Sequence, residues 1–143
     1  MEHRRNWRRD RGFDPVAYFT KSHPELGSIK HVTVWNEALW LFSSAEHRDV
    51  FVAAPEKYAP AYGGFCAFCV ASGHKLHGDP VAWAIHNDRL YIHQTVGYRQ
   101  SWLQDPEFYI RRADAAWPAV IAKDADPDAR SAFTNRISEA LGR

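Results

Sequence analysis

The sequence predicts an α+β fold, a small antiparallel sheet from two hairpins with several packed helices, in a single soluble domain. Three observations carry this expectation. Two pairs of alternating, β-branched segments are each joined by a two-residue turn that tolerates a left-handed backbone, Asn36-Glu37 and Asn87-Asp88. Stretches of helical periodicity bounded by caps, prolines and glycines lie between and after them. The 143 residues, 45% hydrophobic and 24% charged, have the size and balance of one globular domain.

Residues 1–11 form a basic arm with Arg4, Arg5, Arg8, Arg9 and Arg11, read as a solvated tail. Ser28 to Trp35 alternates and reads as a strand, with Ala38 to Phe42 as its partner. Ser43-Ser44-Ala45-Glu46 fits a capping box, with Ser43 as the cap. The following helix sets His47, Val50, Phe51 and Ala54 on one stripe, and Pro55 ends it or starts another turn. Gly63-Gly64 allows positive φ or close backbone approach, and Phe65 to Ser72 reads as a short helix stopped by Gly73.

The second hairpin places Trp83, Ile85, Leu90 and Ile92 on one face. Val96 to Gln104 is helical. Asp105-Pro106 pairs a cap with a first-turn proline and opens a helix carrying Phe108, Tyr109, Ala113 and Trp117. Asp126-Pro127 repeats that signal before a last helix burying Ala129, Phe133, Ile137, Ala140 and Leu141. The expected organisation is thus an arm over 1–11, a domain over 12–121 and a helix within 122–143 packed on it. Six Trp among 14% aromatics predict a ring-rich core.

Several function classes are disfavoured. A net charge of +1 makes no electrostatic case for nucleic acid or anionic lipid. No run nears the ~18 apolar residues of a membrane span, and the arm has no apolar signal region. Cytoplasmic is the expected compartment, or periplasmic if the native gene carries a leader. Glycine-rich nucleotide loops and the Gly-x-Ser-x-Gly elbow are missing. Asp14 and Asp79 precede prolines and read as turn or cap residues, and Asp114 reads as structural.

The conspicuous chemistry is Cys66 and Cys69. Three residues apart at a helix start, they put both sulfurs on one face, where amide donors favour the Cys66 thiolate. Two thiolates suit copper(I), whereas zinc wants four ligands. His74 and His77 complete a Cys-x2-Cys-x4-His-x2-His string with a spacer far shorter than a zinc finger's. Three readings stand: capture of a soft metal, thiol redox chemistry, or packing of small apolar side chains. His86 and His93 are set aside. The expected register pairs His86 with Arg89 and His93 with Ala82, roughly 13 Å apart at strand rise.

Gly12-Phe-Asp-Pro-Val-Ala-Tyr-Phe19, the helix ending Pro55-Glu-Lys-Tyr58 and Tyr62-Gly-Gly-Phe-Cys-Ala67 together resemble the YHS-domain family. The Trp83 hairpin and Ala113-Asp-Ala-Ala-Trp-Pro118 fit its longer bacterial form, so the likeness spans about residues 12 to 120. The resemblance implies an association with copper and other heavy metals. The short domain's three ligand cysteines fall on Ala17, Ser43 and His47, so that thiolate site is replaced and only His47 keeps a donor suited to metal. The longer form usually keeps the cysteine that is Cys66 here, and some of its members look like selenoproteins, which suggests redox chemistry.

The leading expectation is a soft-metal-binding protein, copper(I) or zinc, with Cys66 and Cys69 as ligands and His77, His74 or His47 as additions. The alternatives are a thiol redox protein in which Cys66 attacks and Cys69 resolves, and a non-catalytic interaction module presenting Tyr62 or Trp7. The implied partner is a metal ion or a redox partner protein.

Overall fold

The computed structural model describes residues 12–123 and 134–136. Its contacts gather into two units, Met1–Ala59 with Ala132–Arg143, and Pro60–Ser131. The α+β class is as the sequence predicts, with six α-helices and two antiparallel hairpins among the described residues. No helix among the described residues is long and apolar enough to cross a membrane.

Among the described residues of the first unit, the earliest helix is the short α1 (Ala17–Thr20), which is not among the elements expected from the sequence. The hairpin β1 (Ser28–Trp35) and β2 (Ala38–Phe42) follows with the expected bounds. Asn36 (φ 54°) and Glu37 (φ 63°) make its left-handed turn, the conformation that matches the twist of the flanking strands. Helix α2 (Ala45–Ala53) comes next, and α3 (Pro55–Tyr58) starts on the proline that ends it. Ser44, not Ser43, caps α2 by accepting the His47 N–H at 3.1 Å, because the Ser43 hydroxyl is committed to Asp14. Only His47 and Phe51 of the expected stripe are buried; Val50 is exposed. Phe51 stacks against Trp35, Trp40 and Phe42 with ring centroids 5.0–5.8 Å apart, which makes the core ring-rich.

The second unit begins with a tight turn, Ala61–Gly64, in which Tyr62, Gly63 and Gly64 all have positive φ. Helix α4 (Ala67–Ala71) is capped by Cys66. The hairpin β3 (Asp79–His86) and β4 (Arg89–His93) turns through Asn87 (φ 51°) and Asp88 (φ 62°). Helices α5 (Val96–Leu103) and α6 (Pro106–Ile121) follow, the latter capped by Asp105 as the sequence predicts. Trp102, Val70, Ala84, Tyr91, Ala113 and Val120 form this unit's core. β4 is buried on both faces, Leu90 and Ile92 on one and Tyr91 and His93 on the other, so it does not show the alternation of a half-exposed strand.

Three expectations are corrected. The hairpins do not share a sheet: β1 and β2 are extended by β5 (Thr134–Arg136), which pairs antiparallel with β2, while β3 and β4 form a sheet of their own. The last helix expected within 122–143 lies mostly outside the described residues, and where it is described, at β5, the chain is a strand. Backbone pairing with the open edge of β2 satisfies donors and acceptors that a helix there would leave unpaired. Finally, His93 pairs with Asp79 rather than Ala82, because the β3–β4 register shifts between Asp79 and Trp83. Pro80 lies in that interval and has no N–H to donate to a regular ladder.

Gly78 sits where backbones crowd. A Cβ added there would collide with Ile92 Cγ2 and lie 2.6 Å from the Gly64 carbonyl oxygen. Neither neighbour is a flexible side-chain end. Gly78→Ala is therefore expected to destabilise the chain by about 1–3 kcal/mol, read as a lower urea midpoint; an unchanged midpoint would show that the backbone relaxes without cost.

Candidate functional site

The cysteine site is assembled by backbone hydrogen bonds before any side chain matters. Phe65 and His77 form an isolated antiparallel bridge, and the Cys66 N–H donates to the Leu76 carbonyl at 2.8 Å. These contacts pin the residue before α4 and make Cys66 its N-cap. The helix has only five residues, so local amides rather than a long dipole do the electrostatic work. The Cys69 N–H donates to Cys66 Sγ at 3.2 Å, and the two cysteines come within 2.7 Å of each other without a disulfide.

The thiols are unequal. Cys66 is drawn down from the ordinary thiol range to about 5, chiefly because Cys69 donates its S–H toward it, with His93 and the amides of Gln94 and Cys69 adding to the effect against the cost of burial. Cys69 is pushed up, because its proton is held by Cys66 and burial disfavours a second charge. One proton thus sits on the Cys69 side of a shared thiol–thiolate pair. Both residues are shielded: Cys66 has no exposed surface and Cys69 is 5% exposed.

His93 is the residue that sequence reasoning set aside. It is wholly buried, and its ring lies 4.9 Å from that of Trp102. Neither ring nitrogen meets a well-formed hydrogen-bond partner. Its approach to the Cys66 sulfur is looser than a regular hydrogen bond, yet it favours the thiolate. The available signal was its place at the end of a strand that also carries Leu90 and Ile92. The assumed register hid that signal by placing His93 opposite Ala82.

The other expected donors are scattered. His74 is exposed, and its amide donates to the Cys69 carbonyl at 3.0 Å. His77 is half-buried, with its backbone in the bridge to Phe65. His47 belongs to the first unit, where Asp14 and Thr20 engage both its nitrogens. Tyr62, expected as an exposed docking ring, is buried, and its hydroxyl donates to Asp114 at 2.8 Å, which with burial keeps the phenol protonated. Trp7 lies outside the described residues.

A tetrahedral zinc would need four ligands, and His47 is engaged by Asp14 and Thr20 instead. Among the described residues no group of three or more His, Cys, Asp or Glu side chains is arranged to hold a metal ion.

Comparison with known proteins returned no matching family model, curated protein or solved structure. The YHS likeness therefore stands on the sequence motifs alone.

The acidity of Cys66 has a signed consequence. From about pH 5 to the unfolded thiol's ~8.5, the native state has lost the Cys66 proton while the unfolded state keeps both. Stability should therefore rise with pH in that window. Above it the unfolded chain is doubly ionised while Cys69 keeps its proton, and the trend reverses. Thiolate ultraviolet absorbance should show a transition near pH 5 that vanishes in Cys66→Ser and moves to higher pH in His93→Leu; a first transition in the ordinary thiol range would refute this asymmetry.

Proposed function

We propose that Cys66 and Cys69 form a thiol–disulfide redox couple in which Cys66 reacts first and Cys69 closes the bond. The observation that carries this reading is the approach of the two residues to 2.7 Å with their acidities driven apart. A nucleophile must be a thiolate, and a resolving thiol must be adjacent and keep its proton until it attacks. The Cys66 thiolate displaces one sulfur of an incoming disulfide, which departs as a thiolate. The Cys69 sulfur then attacks Cys66, the internal S–S bond forms, and the second sulfur leaves with the proton Cys69 gives up. Two electrons pass from the pair to the incoming disulfide.

Burial limits the reagent. Neither sulfur presents a surface that a folded protein could grip, so the direct oxidant is a small molecule, and a partner protein requires local opening. The neighbouring Trp102 ring, with the buried strand β4 behind it, keeps the surroundings apolar and strengthens the electrostatic coupling within the pair.

A second reading, capture of a soft metal ion, is favoured by one observation: the buried His93 ring interacts with Cys66, and its nitrogens make no regular hydrogen bond and offer a third donor. Protein purified without chelator and analysed for metal separates the two, since stoichiometric metal lost in Cys69→Ala supports capture.

Titration in glutathione redox buffers, quenched by alkylation and read by mass spectrometry, tests the redox reading. The wild-type chain should pass from two alkylated thiols to none in one two-electron step, while Cys69→Ser should stop at a mixed disulfide on Cys66. Thiols that stay reduced across the whole range would overturn the couple.

A further inference from the structure

The first unit holds a second constellation that the cysteine chemistry does not use. Asp14 is wholly buried. Its Oδ1 accepts the N–H groups of Val16 at 2.9 Å and Ala17 at 3.3 Å. Its Oδ2 accepts the Ser43 N–H at 2.9 Å, the Ser43 hydroxyl at 2.7 Å and His47 Nδ1 at 2.6 Å. Five donors on two oxygens fix the plane of the carboxylate. A carboxylate oxygen is the acceptor, so Nδ1 of His47 is the donor in this pair and Nε2 is the nitrogen turned toward Thr20. That nitrogen lies 3.0 Å from Thr20 Oγ1.

We propose that Thr20, His47 and Asp14 act as nucleophile, general base and orienting carboxylate in acyl transfer from small activated esters. The arrangement meets the geometric test for an activated hydroxyl: nucleophile and base within hydrogen-bond reach, and the base held by a third group. Access differs along the relay in the needed order, since Asp14 is sealed, His47 is 9% exposed and Thr20 is exposed at the end of α1.

The steps balance. Thr20 Oγ1 bonds to the acyl carbon as its proton passes to His47 Nε2; the C–O bond to the alcohol breaks, and the alcohol leaves with that proton. Water then gives a proton to His47 while its oxygen bonds to the acyl carbon. The Thr20 oxygen departs and recovers the proton, so ester and water become acid and alcohol. The competing account is that the cluster only ties α1 to the start of α2, with the Thr20 hydroxyl donating to the Val16 carbonyl at 3.3 Å.

The test uses p-nitrophenyl acetate on the full chain. Nitrophenol release should exceed the buffer rate, and peptide mass spectrometry should find the acetyl group on Thr20. Thr20→Ala should lower the rate by about a hundredfold, the scale of general-base assistance, while Thr20→Ser keeps it. Thr20 is exposed, so its variants keep the fold, which circular dichroism verifies. Release at the buffer rate, an undiminished rate in Thr20→Ala, or acetyl found only on Cys66 or lysine would overturn the proposal.

Discussion

A charge or a strong acceptor taken out of water must be met by donors, and that constraint organises both units of this chain. Asp14, with no exposed surface, gathers five donors from α1, Ser43 and α2. Leaving such a carboxylate unmatched would cost several kcal/mol, so the segments that supply the donors are bound to one another. Cys66 follows the same rule with a softer atom, since its sulfur draws on the Cys69 thiol, the amides of Cys69 and Gln94, and the His93 ring. Around both sites the rest of the core is apolar and aromatic, which raises the stakes of each polar match.

Backbone geometry delivers these atoms. Gly78 lets the strand that follows the cysteine helix pass against Ile92 and the Gly64 carbonyl, a spacing no other residue allows. Gly27 does the same beside Leu41 in the first hairpin, where an added Cβ would lie 2.6 Å from the Leu41 carbonyl oxygen. The bridge of Phe65 to His77 and the bond from Cys66 to Leu76 then fix where the helix starts, and so where both sulfurs stand. The irregular β3–β4 register brings His93 opposite Asp79 and leaves its imidazole in the core.

The chemistry follows from how closely the sulfurs are held. A metal wants its ligands at a distance set by two bonds and an angle, whereas disulfide formation wants them nearly touching with only one ionised. The proposed couple rests on the second situation, with one acidic and one protonated thiol, and burial of both residues would favour small reagents. The buried His93 imidazole favours the Cys66 thiolate without adding exposed surface. The Asp14–His47–Thr20 relay differs in being open at one end, where Thr20 is exposed.

The sequence by itself determined what depends on neighbours along the chain. Asn36-Glu37 and Asn87-Asp88 specify left-handed turns because Asn and Asp side chains tolerate that backbone, and the strand bounds on either side follow from them. Asp105-Pro106 specifies a helix start, and the Cys66–Cys69 spacing specifies that the two sulfurs meet. Tertiary structure decided whatever depends on residues far apart in sequence. The match of Asp14 to His47, the entry of His93 into the cysteine site, the separation of the hairpins into two sheets and the strand at Thr134–Arg136 all arise from partners 27 or more residues away. Local periodicity cannot encode which distant donor will satisfy a buried acceptor, because that choice is made only when the chain closes on itself.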